Sequence, residues 1–325
     1  MIVISDHAFK FYDLKPPAVD MRAEVLEGLT SRPKYLAPKF LYDQAGSALF
    51  EAITELPEYY LTRTEIGILE AHRDEMAARI GAGSCLIEFG SGNSRKIRLL
   101  LERLRPHSYV PVDISRKHLE ASARLIFDEF SWLNVYPVSA DYTSELSLPS
   151  ETGSDPRVAF FPGSSIGNFE PPAAVDFLSR TARLVGPGGK LLLGVDRKKD
   201  RAILEAAYDD AAGVTADFNL NMLRHLNVAL EADFDVSRFT HVALYNETLG
   251  CIQMFLESRV DQSVLIDRTS IDLRAGERIH TENSFKYDPQ EFSALAQQAG
   301  FRCDTWWTDD QDLFAVFLLV NPGPA

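Results

Sequence analysis

The stretch Cys85-Leu86-Ile87-Glu88-Phe89-Gly90-Ser91-Gly92-Asn93-Ser94-Arg95-Lys96 carries the densest chemistry in this 325-residue chain. An apolar run ends in a carboxylate, passes two glycines spaced G-x-G, and opens into residues of helical periodicity. A strand, a tight turn and a helix start of this kind let a nucleotide-bearing cofactor lie against bare backbone. Glu88, Gly90, Ser91, Gly92 and Lys96 are the candidate contacts. Asp113 stands roughly 20 residues further on, at the end of a second apolar run, where a carboxylate can accept from ribose hydroxyls. Asp141-Tyr142, at the end of a third, is placed to meet an adenine amine and ring.

The turn lacks the third glycine of the dinucleotide pattern, since Asn93-Ser94 or later residues occupy its place. A widened turn suits the methionine end of S-adenosyl-L-methionine better than a pyrophosphate. That makes the sulfonium the leading expectation and a nicotinamide cofactor the alternative. Gly186-Pro187-Gly188-Gly189-Lys190-Leu191 adds a turn common in methyltransferases.

These residues need a scaffold, and the pattern from about residue 84 supplies one. Short apolar runs at Ser84–Phe89, Tyr109–Ile114, Asn134–Ala140, Val158–Pro162 and Lys190–Asp196 alternate with helical stretches at Ser94–Leu104, Arg116–Phe130 and Ala173–Leu184. Strands alternating with helices predict a parallel sheet covered on both faces. A helix opening at Asp288-Pro289 then leads to two strands, Phe301–Trp307 and Phe314–Val320, joined by a polar turn. An antiparallel pair closing a parallel sheet gives seven strands, the Rossmann-like α/β arrangement of class I methyltransferases. The dehydrogenase sheet is parallel throughout.

Residues 1–60 read as helix and turn. Residues 201–284 interrupt the sheet with a helix at Arg201–Ala212, a second apolar segment at Phe218–Leu230, and strand-like runs at His241–Tyr245 and Cys251–Arg259. An insertion at the carboxyl edge of a parallel sheet overhangs the crevice where ligands bind. The expected division is a cofactor domain of 61–200 with 285–325, and a substrate-capping α+β domain of 1–60 with 201–284.

Bulk properties narrow the partners. With 46% hydrophobic residues the chain can bury a large core, and its net charge of −14 disfavours nucleic acid and anionic membranes. No run approaches the length of a membrane span. The start, Met1-Ile-Val-Ile-Ser-Asp-His7, lacks the basic residues and long apolar run of a leader peptide. Three scattered cysteines fit reduced thiols in the cytoplasm. No histidine or cysteine spacing supports a metal site.

The chain also resembles a known family along nearly its whole length. The resemblance is carried by Tyr42-Asp-Gln-Ala-Gly-Ser-Ala-Leu-Phe50, Leu56-Pro-Glu-Tyr59-Tyr60-Leu-Thr-Arg63-Thr64-Glu65, Glu88-Phe-Gly-Ser-Gly-Asn-Ser-Arg-Lys96 and Phe161-Pro-Gly163-Ser-Ser-Ile-Gly167-Asn168-Phe169. It continues through Ala207-Tyr208-Asp209-Asp210-Ala-Ala-Gly-Val-Thr215, Phe218-Asn219-Leu-Asn221 and Thr281-Glu282-Asn283-Ser284-Phe-Lys286-Tyr287. These motifs are similar to those of the histidine-specific S-adenosylmethionine-dependent methyltransferases, which trimethylate the α-amine of histidine to hercynine, the first step towards ergothioneine.

The resemblance implies that Asn168, Tyr59 and Tyr208 hold the α-carboxylate and α-amine of an amino-acid substrate. It implies that Tyr42, Phe50 and Gly163 line the space where nitrogen meets methyl. Glu282 and Ser284 would read the imidazole, with Met254 packed beside the ring. Asn283 departs from the small or apolar residue of the family pattern, and is expected in the ring-reading wall. The chemistry is compatible: an amide both accepts and donates, tyrosines bind a carboxylate without a buried cation, and residues two apart share a strand face. The enzyme is expected to make three successive transfers and to be a monomer in the cytoplasm. The alternatives are an Nα-methyltransferase for another aromatic amino acid, a nicotinamide-dependent oxidoreductase, and a non-catalytic binding protein on the same scaffold.

Overall fold

The computed structural model describes residues 7–14, 20–92 and 94–323. Asn93 of the glycine turn and the N-terminal stretch Met1–Asp6 lie outside the described residues. Internal contacts divide the chain into two compact units. Met1–Ala18, Thr64–Arg197 and Tyr287–Ala325 form the first; Val19–Arg63 and Lys198–Lys286 form the second.

The first unit is built on one sheet, in the order Tyr12–Asp13, Val138–Ser139, Ser108–Asp113, Cys85–Phe89, Arg157–Phe161, Lys190–Asp196, Phe314–Val320, Arg302–Thr308. Pairings are parallel up to Lys190–Asp196 and the last two are antiparallel, so Phe314–Val320 runs against the other strands. Apart from the edge piece Tyr12–Asp13, this is the seven-stranded class I methyltransferase order. Cys85–Phe89 is buried at every position, as a strand covered on both faces must be.

Two expectations change. Asn134–Ala140 is not one strand but two pieces, Asn134–Val135 and Val138–Ser139. Pro137 sits in the gap and has no N–H to give the ladder. The N-terminal residues do not all go with the second unit. Tyr12–Asp13 pairs in parallel with Val138–Ser139, and the Tyr12 N–H reaches the Pro137 carbonyl at 2.8 Å. A two-residue strand is too short to show periodicity in sequence.

Local signals set the remaining elements. The helix Pro171–Val185 opens on two prolines and stops at Gly186. Gly189 follows because a Cβ there would stand 2.4 Å from the Val185 carbonyl oxygen. The helix Pro289–Gln298 has proline in its first turn, and Glu291 accepts from the Asp288 N–H at 3.0 Å.

The second unit holds a four-stranded sheet in the order Lys34–Tyr35, Arg278–Phe285, Cys251–Ser258, Phe239–Asn246, and a separate hairpin of Gln262–Ile266 and Thr269–Leu273. Its helices include Gln44–Thr54, Arg201–Tyr208 and Val214–Leu230. The helix expected to reach Ala212 ends at Tyr208. Asp210 caps the next one instead, accepting from the Val214 and Thr215 N–H groups at 3.0 and 2.7 Å, with Gly213 at φ +75°. The break leaves Tyr208 at a helix terminus. Among the described residues no helix is long and apolar enough to cross a membrane.

Candidate functional site

In the first unit the glycine turn leaves the sheet at Phe89. The Gly90 N–H is held by the Val112 carbonyl at 2.9 Å, and Gly90 and Gly92 take φ of +70° and +28°, a region costly for any side chain. Ser91 is buried between them, and its Oγ has no hydrogen-bond partner among the described residues. A buried orphan hydroxyl facing bare backbone fits a ligand that carries its own polar groups. Asp113 and Asp141 each use one carboxylate oxygen on a local turn, Asp113 with the Ser115 N–H and Asp141 with Thr143, both at 2.8 Å. Each keeps a second oxygen. The Tyr142 ring packs on Phe89, Phe161 and Phe177, and burial pushes its hydroxyl up to about 12, so it stays neutral. Turn, orphan hydroxyl, two strand-end carboxylates and a flat ring suit the nucleoside and amino-acid ends of S-adenosylmethionine.

Glu88 behaves differently from its neighbours. It is buried in the strand, accepts a hydrogen bond from the Tyr109 hydroxyl, and burial drives its carboxyl up to about 8 against that bond and the Lys96 charge. Its place is under the turn, in the core.

Lys96 is engaged by a residue that carries no local mark of a role. Glu65, fully buried in the helix Tyr60–Ile80, accepts from Lys96 Nζ at 2.5 Å and from the Gly163 N–H at 2.9 and 3.1 Å. Gly194 makes room for it: a Cβ there would lie 2.1 Å from Glu65 Oε1. Beyond Gly163, at φ +80°, Ser164 Oγ accepts the Asp196 N–H at 2.8 Å. The loop is thus pinned on both sides before it reaches Asn168, half-buried at the end of the short turn Ser165–Asn168.

In the second unit the expected substrate residues form one continuous cluster. Tyr42 meets Phe50 and Phe218 edge-on at 5.7 and 5.5 Å, Phe50 meets Tyr59 at 6.2 Å, and Tyr59 meets Tyr208 at 6.2 Å. The Tyr208 hydroxyl lies 2.8 Å from Ser284 Oγ. Ser284 and Glu282 share a face with their partners Ile252 and Met254, all four buried. A bulge makes this possible. Met254 pairs with Glu282 but Phe255 with His280, so Thr281 is the extra residue and Glu282 returns to the inner face. Burial pushes the Glu282 carboxyl up to about 7, while the Lys286 charge works against it.

The Asn283 Oδ1 is bonded to His280 Nε2 at 2.9 Å and Gln253 Nε2 at 3.1 Å. Asn283 therefore takes the opposite strand face from Glu282.

The amino-acid sequence over residues 21–321 matches the family model described as histidine-specific methyltransferase, SAM-dependent. The chain belongs to that family. It is 41% identical over 307 residues to histidine N-alpha-methyltransferase of Mycolicibacterium smegmatis, covering 93% of this chain and 95% of that one. The same coverage holds for the Mycobacterium tuberculosis protein of that name, at 42% identity. Ergothioneine biosynthesis protein 1 of Neurospora crassa is 35% identical over 85% of this chain and 32% of its own length. As a member of this family the protein is an enzyme that uses S-adenosylmethionine, and the nicotinamide and non-catalytic alternatives fall away.

Three residues escaped the sequence reading although they lie inside or beside quoted motifs: Glu65, Phe218 and Lys286. Glutamate and lysine are the residues least often buried. The one available signal for Glu65 was its position among Ile66, Ile68 and Leu69, all buried.

Proposed function

We propose that the protein transfers methyl groups from S-adenosylmethionine to the α-amine of free L-histidine, three times in succession, giving hercynine for ergothioneine synthesis, and that it works as a cytoplasmic monomer. The observation that carries the substrate assignment is the buried strand face of Glu282 and Ser284, joined through Tyr208 to an aromatic row ending at Tyr42 and Phe50. An ionised carboxylate accepts an imidazole N–H, and aromatic edges accommodate methyl groups as they accumulate.

When bound, S-adenosylmethionine supplies an electrophilic methyl and a leaving group that departs as a neutral thioether. The chain's task is then positioning and exclusion of water. Gly163, held by Glu65, presents backbone without a side chain where space is needed, and Asn168 follows on the same anchored loop. Tyr59 and Tyr208 offer neutral hydroxyls to the carboxylate and amine. An α-amino group of pKa about 8 is largely charged at neutral pH and must lose a proton before attack. Turnover should therefore rise from pH 7 to 9.

Calorimetry of L-histidine in the presence of S-adenosylhomocysteine, beside the other nineteen amino acids, tests the pocket. Mass spectrometry of the product tests the count: mono-, di- and trimethyl species should appear in turn. A product that stops at one methyl, or tighter binding of another aromatic amino acid, overturns the corresponding part.

A further inference from the structure

We propose that Lys286 is a positioning residue that turns the Tyr208–Ser284 hydroxyl pair into a hydrogen-bond donor aimed at the amino-acid substrate; this rests on the reading above and deepens it. Lys286 is 1% exposed. Its ammonium donates to Tyr208 Oη at 2.8 Å and to Ser284 Oγ at 2.9 Å, and the two oxygens lie 2.8 Å apart, closing a triangle. The ammonium also sits 4.6 Å from the Tyr208 ring centroid. Its backbone N–H is held by the Gly250 carbonyl at 2.8 Å, so the side chain starts from an anchored point.

Counting protons shows what the triangle does. Both oxygens accept from the ammonium, and one hydroxyl proton is spent on the bond between them. The other hydroxyl proton has to be directed out of the triangle, so the pair offers a donor. If Ser284 donates to Tyr208, the outward proton is the phenol's and suits a carboxylate. If Tyr208 donates to Ser284, it is the serine's and suits the bare nitrogen of an imidazole. Where the outward proton meets the substrate, the atom it meets is an acceptor. Without the ammonium the two hydroxyls could rotate and accept as readily as donate.

Residues 282, 284 and 286 alternate along one chain segment as acceptor, relay and cation. A neutral imidazole has one N–H and one bare nitrogen, so an acceptor and a donor on one strand face are complementary to it. Lysine suits the task because a compact point charge with three rotatable donors reaches both hydroxyl oxygens from one atom. The same charge opposes the protonation of Glu282.

The test measures L-histidine binding by calorimetry with S-adenosylhomocysteine present. Lys286→Met should weaken histidine about thirtyfold, as expected for loss of a charge-assisted network, and leave S-adenosylhomocysteine binding within about twofold. KM should rise while kcat changes less than about threefold. In a Ser284→Ala, Tyr208→Phe background the same change should cost less than about threefold, because its targets are gone. Should Lys286→Met not fold, Lys286→Gln, which keeps donors without charge, should weaken histidine about tenfold. Unchanged histidine affinity, or an equal loss in both backgrounds, overturns the role of Lys286. Wild-type protein that fails to bind histidine defeats the substrate assignment instead.

Discussion

Two buried hubs organise the two units, and they are opposite in kind. In the sheet unit Glu65 is an acceptor that gathers an ammonium and a backbone N–H. In the second unit Lys286 is a donor that gathers two hydroxyls. An acceptor hub fixes heavy atoms: the Gly163 loop cannot move without losing its bonds. A donor hub holds hydroxyls that can rotate, so it fixes the direction of protons. On the proposed function, the first suits cofactor handling and the second substrate reading.

The largest effect should come from breaking the acceptor hub. Glu65→Ala leaves Lys96 without its carboxylate and the Gly163 N–H without an acceptor. It should cost about 3–5 kcal/mol by urea denaturation and weaken S-adenosylhomocysteine in calorimetry. A loss of stability with cofactor affinity intact would mean the hub is structural only.

Next comes Glu282. Loss of a charge-assisted bond costs roughly 1.5–3 kcal/mol, so Glu282→Gln should weaken histidine by one to two powers of ten. Stability should move the other way. The folded carboxyl is raised from 4.5 to about 7 by burial, so its favourable contribution is present below pH 4.5 and lost as the pH climbs towards 7. Glu282→Gln should therefore melt higher than wild type at pH 7.5, with the gap closing towards pH 4.5. Parallel melting curves across that range would contradict the burial of the charge.

Gly194→Ala probes the room beside Glu65 without touching its charge. A Cβ so close to the Glu65 carboxylate and to Phe314 should cost about 1–3 kcal/mol and weaken S-adenosylhomocysteine, leaving the strand of Glu282 and Ser284 alone. The smallest effect belongs to Ser91→Ala. Its hydroxyl has no partner among the described residues, so stability should stay within about 0.5 kcal/mol. S-adenosylhomocysteine should bind about threefold to tenfold more weakly, the worth of one neutral hydrogen bond. Unaltered affinity would show that Ser91 does not meet the ligand.

Much of the cofactor side was legible because its signals are local. Gly90 and Gly92 need positive φ, Asp113 and Asp141 close apolar runs, and Pro171 and Gly186 bound a helix. The substrate cluster was named through resemblance rather than spacing, since Tyr42, Phe50, Tyr59 and Tyr208 carry no local mark that separates a site from a core. The break in Asn134–Ala140 has a local cause, since Pro137 has no N–H to give. The edge strand Tyr12–Asp13 was not readable, because two residues have no period.

By itself the order of residues determined the α/β class, the glycine turn and the antiparallel closure, because each follows from periodicity and backbone preference within a few neighbouring positions. Only the folded chain decided that Glu65 lies beside Gly194 and that Lys286 lies under Tyr208. A hydrogen bond is made or lost over a few tenths of an ångström. Residues so far apart in sequence reach such distances through the packing of whole elements, which no local pattern records.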